Sequence, residues 1–304
     1  MGDPVSQAYL TGGGHEQDVD LVEMAIQILR PGDLFLDVGS FLGTFSLAAA
    51  SVGCRVIAID ASPLNAELLK AAAVLNGFDD LQVINAAADE HQGEIDFWEL
   101  GPFGMVAASR PAGRRLRVKS LRIDDVLDGL GAPCPGLVKI DVEGSEVRAL
   151  RGMRNLLAGP GAPSILFESN GHTLHLSGTT TTELLHMLEQ IGYAIYMADR
   201  RELRPASSAD LQAQTVVNYL ATKKGPPTFA GWQPVAPLSG KQKMTILLGE
   251  VAHGNQDRRA YVASVLERAG PEFLHDREII RILNTLSEDS DLTVREAAAW
   301  WSGT

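Results

Sequence analysis

The chain reads as α/β: a doubly wound, mostly parallel sheet followed by a small all-helical unit. Three observations predict this. Short apolar runs, several of them closed by an acid, alternate with alanine- and leucine-rich helical stretches from residue 34 to residue 191. The first run opens directly into a glycine turn, Leu34-Phe-Leu-Asp-Val-Gly-Ser-Phe-Leu-Gly-Thr-Phe-Ser-Leu47. Beyond Gly240 the strand pattern disappears and only amphipathic helical spacing remains.

Taken in order, residues 1–17 are polar and glycine-rich and read as a loop or lid. Val19 to Leu29 has helical spacing and is stopped by Arg30-Pro31-Gly32. Leu34 to Val38 is a buried strand, and the turn after it feeds a helix rich in alanine. Arg55 to Asp60 is the second strand, and Pro63 opens the helix that runs to Asn76. Leu81 to Ala87 is the third strand. Glu94 to Glu99 and Leu116 to Ser120 read as extra strands, and Ile123 to Leu130 as a short helix. Gly136 to Asp141 is the fourth strand, with a loop to Glu146 and a helix over Val147 to Leu157. Ser164 to Glu168 is the fifth. A helix over Thr181 to Ile191 begins at a threonine run and ends at Gly192. Late strands fall at Tyr193 to Ala198 and Thr215 to Ala221.

These boundaries give a main domain over 1–222, whose first 32 residues are the lid and helix. A Pro/Gly-rich linker follows over 223–240, then a helical appendage over 241–304 with helices near 241–253, 257–269, 272–287 and 292–301. The last of these resembles the second helix of a HEAT repeat.

With 304 residues, 45% of them hydrophobic, the chain can bury a full core. Its formal net charge of -12 falls almost wholly on residues 1–240, which argues against nucleic acid as a partner. A short basic cluster, Arg110, Arg114, Arg115, Arg117 and Lys119, reads either as a solvated hairpin or as a clamp for an acidic substrate. No apolar run reaches a membrane span, no signal peptide is visible, and Cys54 and Cys134 form no metal pattern. A cytoplasmic protein with reduced thiols is expected.

The turn after the first strand separates the candidate ligands. It reads D-x-G-x-x-x-G, neither the dinucleotide spacing nor a P-loop. Asp37 ahead of the glycines suits a ligand with an ammonium group, of which S-adenosylmethionine is one. Strand ends carry ligands in this architecture. Four of them end in acids: Asp37, Asp60, Asp141 and Glu168. Asp60 is placed to accept ribose hydroxyls.

The run Val138-Lys-Ile-Asp-Val-Glu-Gly-Ser-Glu-Val-Arg-Ala-Leu-Arg-Gly152 resembles the signature of the FkbM family of S-adenosylmethionine-dependent methyltransferases. Phe35 to Ser46, Arg122 to Leu127 and Ile165 to Glu168 are similar to that family's glycine loop, short acidic segment and fifth strand, in the same order. The resemblance spans about residues 16–222. It departs at Phe41, where the family usually has asparagine, and over 241–304, which has no counterpart.

The resemblance implies a class I methyltransferase (Rossmann-like) fold and methyl transfer, commonly to a hydroxyl oxygen. It places Asp37, Gly39, Ser40 and Gly43 at the methionine part of the cofactor, and Asp60 and Ala61 at its ribose. Ala87, Ala88 and Asp89 would border the adenine, and Asp141 and Glu143 would flank the methyl.

An alcohol becomes a competent nucleophile when a base takes its proton or a metal lowers its pKa. Asp141, Glu143, Glu168 and His172 are the catalytic candidates, with His175 a further candidate base. Asp141, Glu168 and Asn170 offer hard oxygen ligands for a divalent cation such as magnesium. Alternatively, Glu168 and Asn170 fix loop backbone and the histidines are solvated. The expected function is O-methylation of a small molecule, a sugar or a product of secondary metabolism. N-methylation of an amine or peptide, and a catalytically inactive cofactor-binding interaction protein, are the alternatives. For the appendage, with Trp300 and Trp301 exposed at its end, a homodimer interface is expected ahead of a lid on the core.

Overall fold

The computed structural model describes residues 16–99, 104–106, 114–159, 161–210, 212, 215–268 and 277–302. The glycine-rich start of the chain and Arg110 lie outside them.

Helix α1 (Glu16–Ile28) leads into β1 (Leu34–Val38), all five residues of which are buried. Then come α2 (Thr44–Ser51), β2 (Arg55–Asp60), α3 (Pro63–Asn76) and β3 (Leu81–Asn85). Helix α3 starts where Ser62 accepts the Asn65 amide and Pro63 takes the first turn, and it stops at Gly77 with φ 70°. The chain next leaves the main sheet. β4 (Ala87–Ala88), β5 (Gly93–Glu99) and β6 (Arg114–Leu121) form a separate three-stranded sheet in the order β4-β6-β5. Helix α4 (Ile123–Leu130) returns to β7 (Leu137–Ile140), followed by α5 (Glu146–Arg151), α6 (Arg154–Ala158) and β8 (Ser164–Asn170). The rest of the core is α7 (Gly171–Leu176), α8 (Thr181–Gln190), β9 (Ala194–Asp199), β10 (Glu202–Ala206), β11 (Val216–Thr222) and β12 (Gln233–Pro234). The C-terminal helices are α9 (Gly240–His253), α10 (Gln256–Arg268), α11 (Arg277–Ser287), α12 (Leu292–Ala297) and α13 (Ala299–Ser302).

Nine strands form the main sheet, in the order β12-β10-β9-β11-β8-β7-β1-β2-β3. From β3 to β8 the pairing is parallel. β11 runs antiparallel between β8 and β9. Strand order reverses between β1 and β7, so a crevice opens over their carboxyl ends, where this kind of sheet binds ligands.

Alternate residues of each strand feed two cores. Leu34, Leu36 and Val38 face the side covered by α4 to α8. Phe35 faces the side covered by α1, α2 and α3, with Leu21, Met24 and Leu69.

The sequence reading and the structure differ in instructive places. Leu81 to Ala87 is two strands, because Ala86 turns the chain into the second sheet. Helix α7 sits where a loop was expected: the Asn170 side chain accepts the His172 and Thr173 amides and starts a turn that polar Gly171-His172-Thr173 does not advertise. The linker region does not hang free. Gln233 and Val235 amides donate to the Arg201 and Leu203 carbonyls, and Trp232 is buried. The basic cluster is a paired hairpin in its described part, with Arg115 2.6 Å from Asp96 and Arg117 3.4 Å from both Glu94 and Asp96. Trp300 and Trp301 are half-buried rather than exposed, because they fold back onto the bundle's own core and Trp301 donates to Asn284 at 2.9 Å.

That bundle has its own apolar centre, built from Leu247, Val262, Leu266, Ile279, Leu283 and Leu286 among others. It docks on the main domain through polar and aromatic contacts. Lys243 lies 2.7 Å from Asp210, the Tyr261 hydroxyl donates to the Gln212 carbonyl at 3.2 Å, and the Tyr261 ring packs on Gly171. A Cβ at Gly171 would run into that ring. The substitution Gly171→Ala should therefore loosen the bundle while the core stays folded. Limited proteolysis should cut between residues 223 and 240 faster in the variant, and an unchanged cutting rate would remove this contact as the docking point.

Candidate functional site

Strand register brings a polar row together at the carboxyl edge. Asp37 of β1 pairs with Lys139 of β7, and Lys139 pairs with Leu166 of β8. Two residues further along β8, Glu168 pairs with Asn218 of β11. The two-residue alternation puts Asp37, Lys139, Glu168 and Asn218 on the face that also carries Phe35 and Leu166. Four adjacent strands thus end in a row of acid, cation, acid and amide.

Lys139 is the only cation of that row. Its ammonium lies 3.0 Å from Asp141 Oδ2 and 4.9 Å from the centre of the Phe45 ring. Burial works against its charge, but Asp141, Asp37 and Glu168 outweigh burial and hold its pKa above the usual lysine range. Asp37 is 1% exposed; its Oδ2 accepts the Ser46 hydroxyl at 2.6 Å, while its Oδ1 has no hydrogen-bond partner.

The loop after β7 is shaped by Glu146. Its Oε1 accepts the Val142 amide at 3.2 Å and the Gly144 amide at 3.1 Å. The chain turns through left-handed backbone at Glu143, φ 49°, and at Gly144, φ 96°. Such a φ is uncommon for a residue with a side chain and points to a local constraint. A Cβ on Gly144 would strike the Thr173 carbonyl of α7, so only glycine lets loop and helix approach. Asp141, Glu143 and Glu168 are thereby gathered at one edge.

The glycine turn is likewise fixed by its own chain. Gly39 has φ 81°, and a Cβ there would meet the Asp141 carbonyl. Gly43, φ 92°, leaves its space to Leu69. Asp60 ties the turn to β2. Its Oδ2 accepts the Phe41 amide at 2.7 Å, and its Oδ1 accepts the Ser62 amide at 2.9 Å and the Asn65 side chain at 3.3 Å. A carboxylate has about four acceptor positions, so Asp60 keeps room for about one further donor. Phe41 itself sits at φ 49°, the region asparagine tolerates better.

Other expected positions are placed as follows. Ala61 is half-buried beside Asp60, and Ala87 and Ala88 are buried in β4. The Asp89 carboxylate is closed in by the His91 amide at 3.0 Å and by Arg148 at 2.6 Å. Asn170 spends its side-chain oxygen on capping α7, and among the described residues no group of three His, Cys, Asp or Glu could hold a metal. The donor set expected for a divalent cation is therefore not assembled. His172 and His175 line a cleft on the far side of α7, and none of the three gathered acids is among its lining residues.

The model of the methyltransferase FkbM domain matches residues 37–195, which span this constellation except Asn218. The chain belongs to the FkbM methyltransferase family. Methyl transfer from S-adenosylmethionine follows from that membership, and the class I fold follows from the strand order above. No curated protein matches the chain. Among solved structures it is similar to precorrin-6y C5,15-methyltransferase from Geobacter metallireducens, at 15% identity, 69% of this chain, 89% of that chain and TM-score 0.42. A TehB-like SAM-dependent methyltransferase from Corynebacterium glutamicum matches at 12% identity, 72% of this chain, 94% of that chain and TM-score 0.40. A SAM-dependent O-methyltransferase from Thermotoga maritima matches at 13% identity, 71% of this chain, 68% of that chain and TM-score 0.37.

The site of this FkbM protein fits the cofactor on its own terms. Two buried polar atoms beside the glycine turn, Asp37 Oδ1 and Ser40 Oγ, have no partner within the chain and would suit the methionine part. Sequence reasoning missed the roles of Lys139 and Glu146, though both lie in the quoted motif. The signal was a lysine between two apolar residues of a buried strand, and a second acid three residues past Glu143 at the start of a helix.

The electrostatics follow from crowding. Burial and the neighbouring Asp141 raise the pKa values of Glu143 and Glu168. Burial raises Glu146 to about 7 and Asp60 to about 6. Each of these groups binds its proton more tightly folded than unfolded. The stability they contribute is complete at low pH and is lost as pH rises through the folded values. The melting temperature of the cofactor-free protein should accordingly fall between pH 5 and pH 9, and Glu168→Gln should flatten that slope. A melting temperature that rises across this range, or an unchanged slope in Glu168→Gln, would contradict the assignment.

Proposed function

We propose that this methyltransferase transfers the methyl group to a hydroxyl oxygen of a small molecule, with Glu168 as the base. The observation that carries the reading is the gathering of Asp141, Glu143 and Glu168 beside the glycine turn, with raised pKa values at the two glutamates. S-adenosylmethionine, when bound, supplies an electrophilic methyl on a positively charged sulfur. Asp37, Ser40 and the turn between Gly39 and Gly43 hold its methionine part, and Asp60 accepts one ribose hydroxyl. The Ala87 to Asp89 edge borders the adenine through its backbone and methyl groups, since the Asp89 carboxylate is taken.

The residues do the rest. Lys139 holds Asp141 in place and limits the negative charge of the row. Glu146 fixes the loop that carries Glu143. Glu168 in its ionised form would accept the proton of the acceptor hydroxyl, and bound S-adenosylmethionine would supply the methyl and keep its sulfur as a neutral thioether. A carboxyl whose ionisation is pushed upward is a stronger base than an ordinary one, so it suits a weakly acidic alcohol. We read the chain as a cytoplasmic enzyme, and no helix of the described residues is long and apolar enough to cross a membrane.

Transfer of labelled methyl from S-adenosylmethionine to a panel of hydroxylated small molecules tests the reading. Turnover should rise with pH through the weakly alkaline range. Glu168→Gln should lower it by a factor on the order of 100 or more, with the affinity for S-adenosylhomocysteine preserved. Label appearing on nitrogen alone, or full turnover in Glu168→Gln, would overturn the proposal.

A further inference from the structure

The cleft between α7 and the C-terminal helices is a site in its own right. It has a volume of about 590 Å³, within the ordinary range of small-molecule sites. One wall belongs to the methyltransferase domain: Gly171 to Leu176, the start of α8, and the stretch around Asp210. The other belongs to α10, α12 and α13 of the appendage.

Its lining combines acids, aromatic rings and hydroxyls with two imidazoles, His172 and His175, from α7. Tyr261 and Trp300 supply aromatic surface, and the Trp300 indole nitrogen is buried without a hydrogen-bond partner. Glu267 and Glu296 supply exposed carboxylates that no described ion pair occupies. The hydroxyls of Ser264 and Thr293 add donors and acceptors. Asp210 is answered from behind by Lys243, and none of the described lining residues is Lys or Arg. Aromatic faces beside unpaired carboxylates attract a cation twice, through the ring quadrupole and through charge. The hydroxyls add partners for a polyhydroxylated ligand.

We propose that this cleft binds a small molecule carrying both amine and hydroxyl groups, an aminated sugar, and that the appendage is the wall that selects it. Glu168 does not line the cleft, so this is a binding site apart from the catalytic edge and does not rest on the function proposed above.

Calorimetry on the full chain tests this with three probes of similar size. These are kanamycin, which is polyaminated, maltotriose, which is neutral, and trigalacturonate, which is anionic. Kanamycin should bind more tightly than maltotriose, and trigalacturonate should not bind. The double substitution Glu267→Gln/Glu296→Gln should weaken kanamycin about tenfold or more, and Trp300→Phe should weaken it while keeping the bundle packed. Glu67→Gln/Asp79→Asn, which removes two exposed acids elsewhere, should change nothing. Equal losses in the two double variants would mean mere attraction of a polycation to an acidic protein, and would overturn the proposal, as would binding of trigalacturonate.

Discussion

One ammonium group, that of Lys139, sits among more carboxyls than it can neutralise. It touches Asp141, faces Asp37 across the β1–β7 pairing, and shares its sheet face with Glu168. Any arrangement that buries several acids is costly unless a cation or a proton balances them. Lys139 supplies the first and the raised glutamate pKa values supply the second. The strand order matters to function because it brings the row together: β7 must lie between β1 and β8 for one lysine to serve acids from both neighbours and from the loop after its own strand.

The loops carry out what the row requires. Glu146 turns the chain sharply enough to place Glu143 over the edge, and glycines at 39 and 144 allow backbone from different segments to meet. These glycines are required by packing of the protein on itself, which was not legible in the motif, where Gly39 read only as part of a cofactor turn. The same holds for Asp60. Sequence position made it a ribose acceptor; the structure has already given it three donors, so it organises the turn first and has room for about one ligand donor.

The doubly wound core was legible because its evidence is local: apolar runs, glycine stops and proline starts. Helix α3 begins at the predicted proline and stops at a glycine in the left-handed region. Edge elements were not legible. β10 and β12 are short, contain proline and gain their order from pairing. Helix α7 depends on a single asparagine cap. The helices past Gly240 were evident from spacing, but their relation to the core was not, because it rests on long-range contacts from Lys243 and Tyr261. Partner choice for a side chain is a tertiary fact, which is why Asn170 read equally as a metal ligand or as a fixer of loop backbone and Arg148 was not read at all.

Denaturation of Lys139→Met, compared with the unaltered protein across pH, tests the central role of this lysine most directly. Losing the cation should cost about 3–5 kcal/mol near neutral pH. The difference should shrink below about pH 5, where the carboxyls carry protons, and a second change, Glu168→Gln, should restore part of the loss. A variant that is as stable as the parent, or a loss that is the same at every pH and unaffected by Glu168→Gln, would contradict the account.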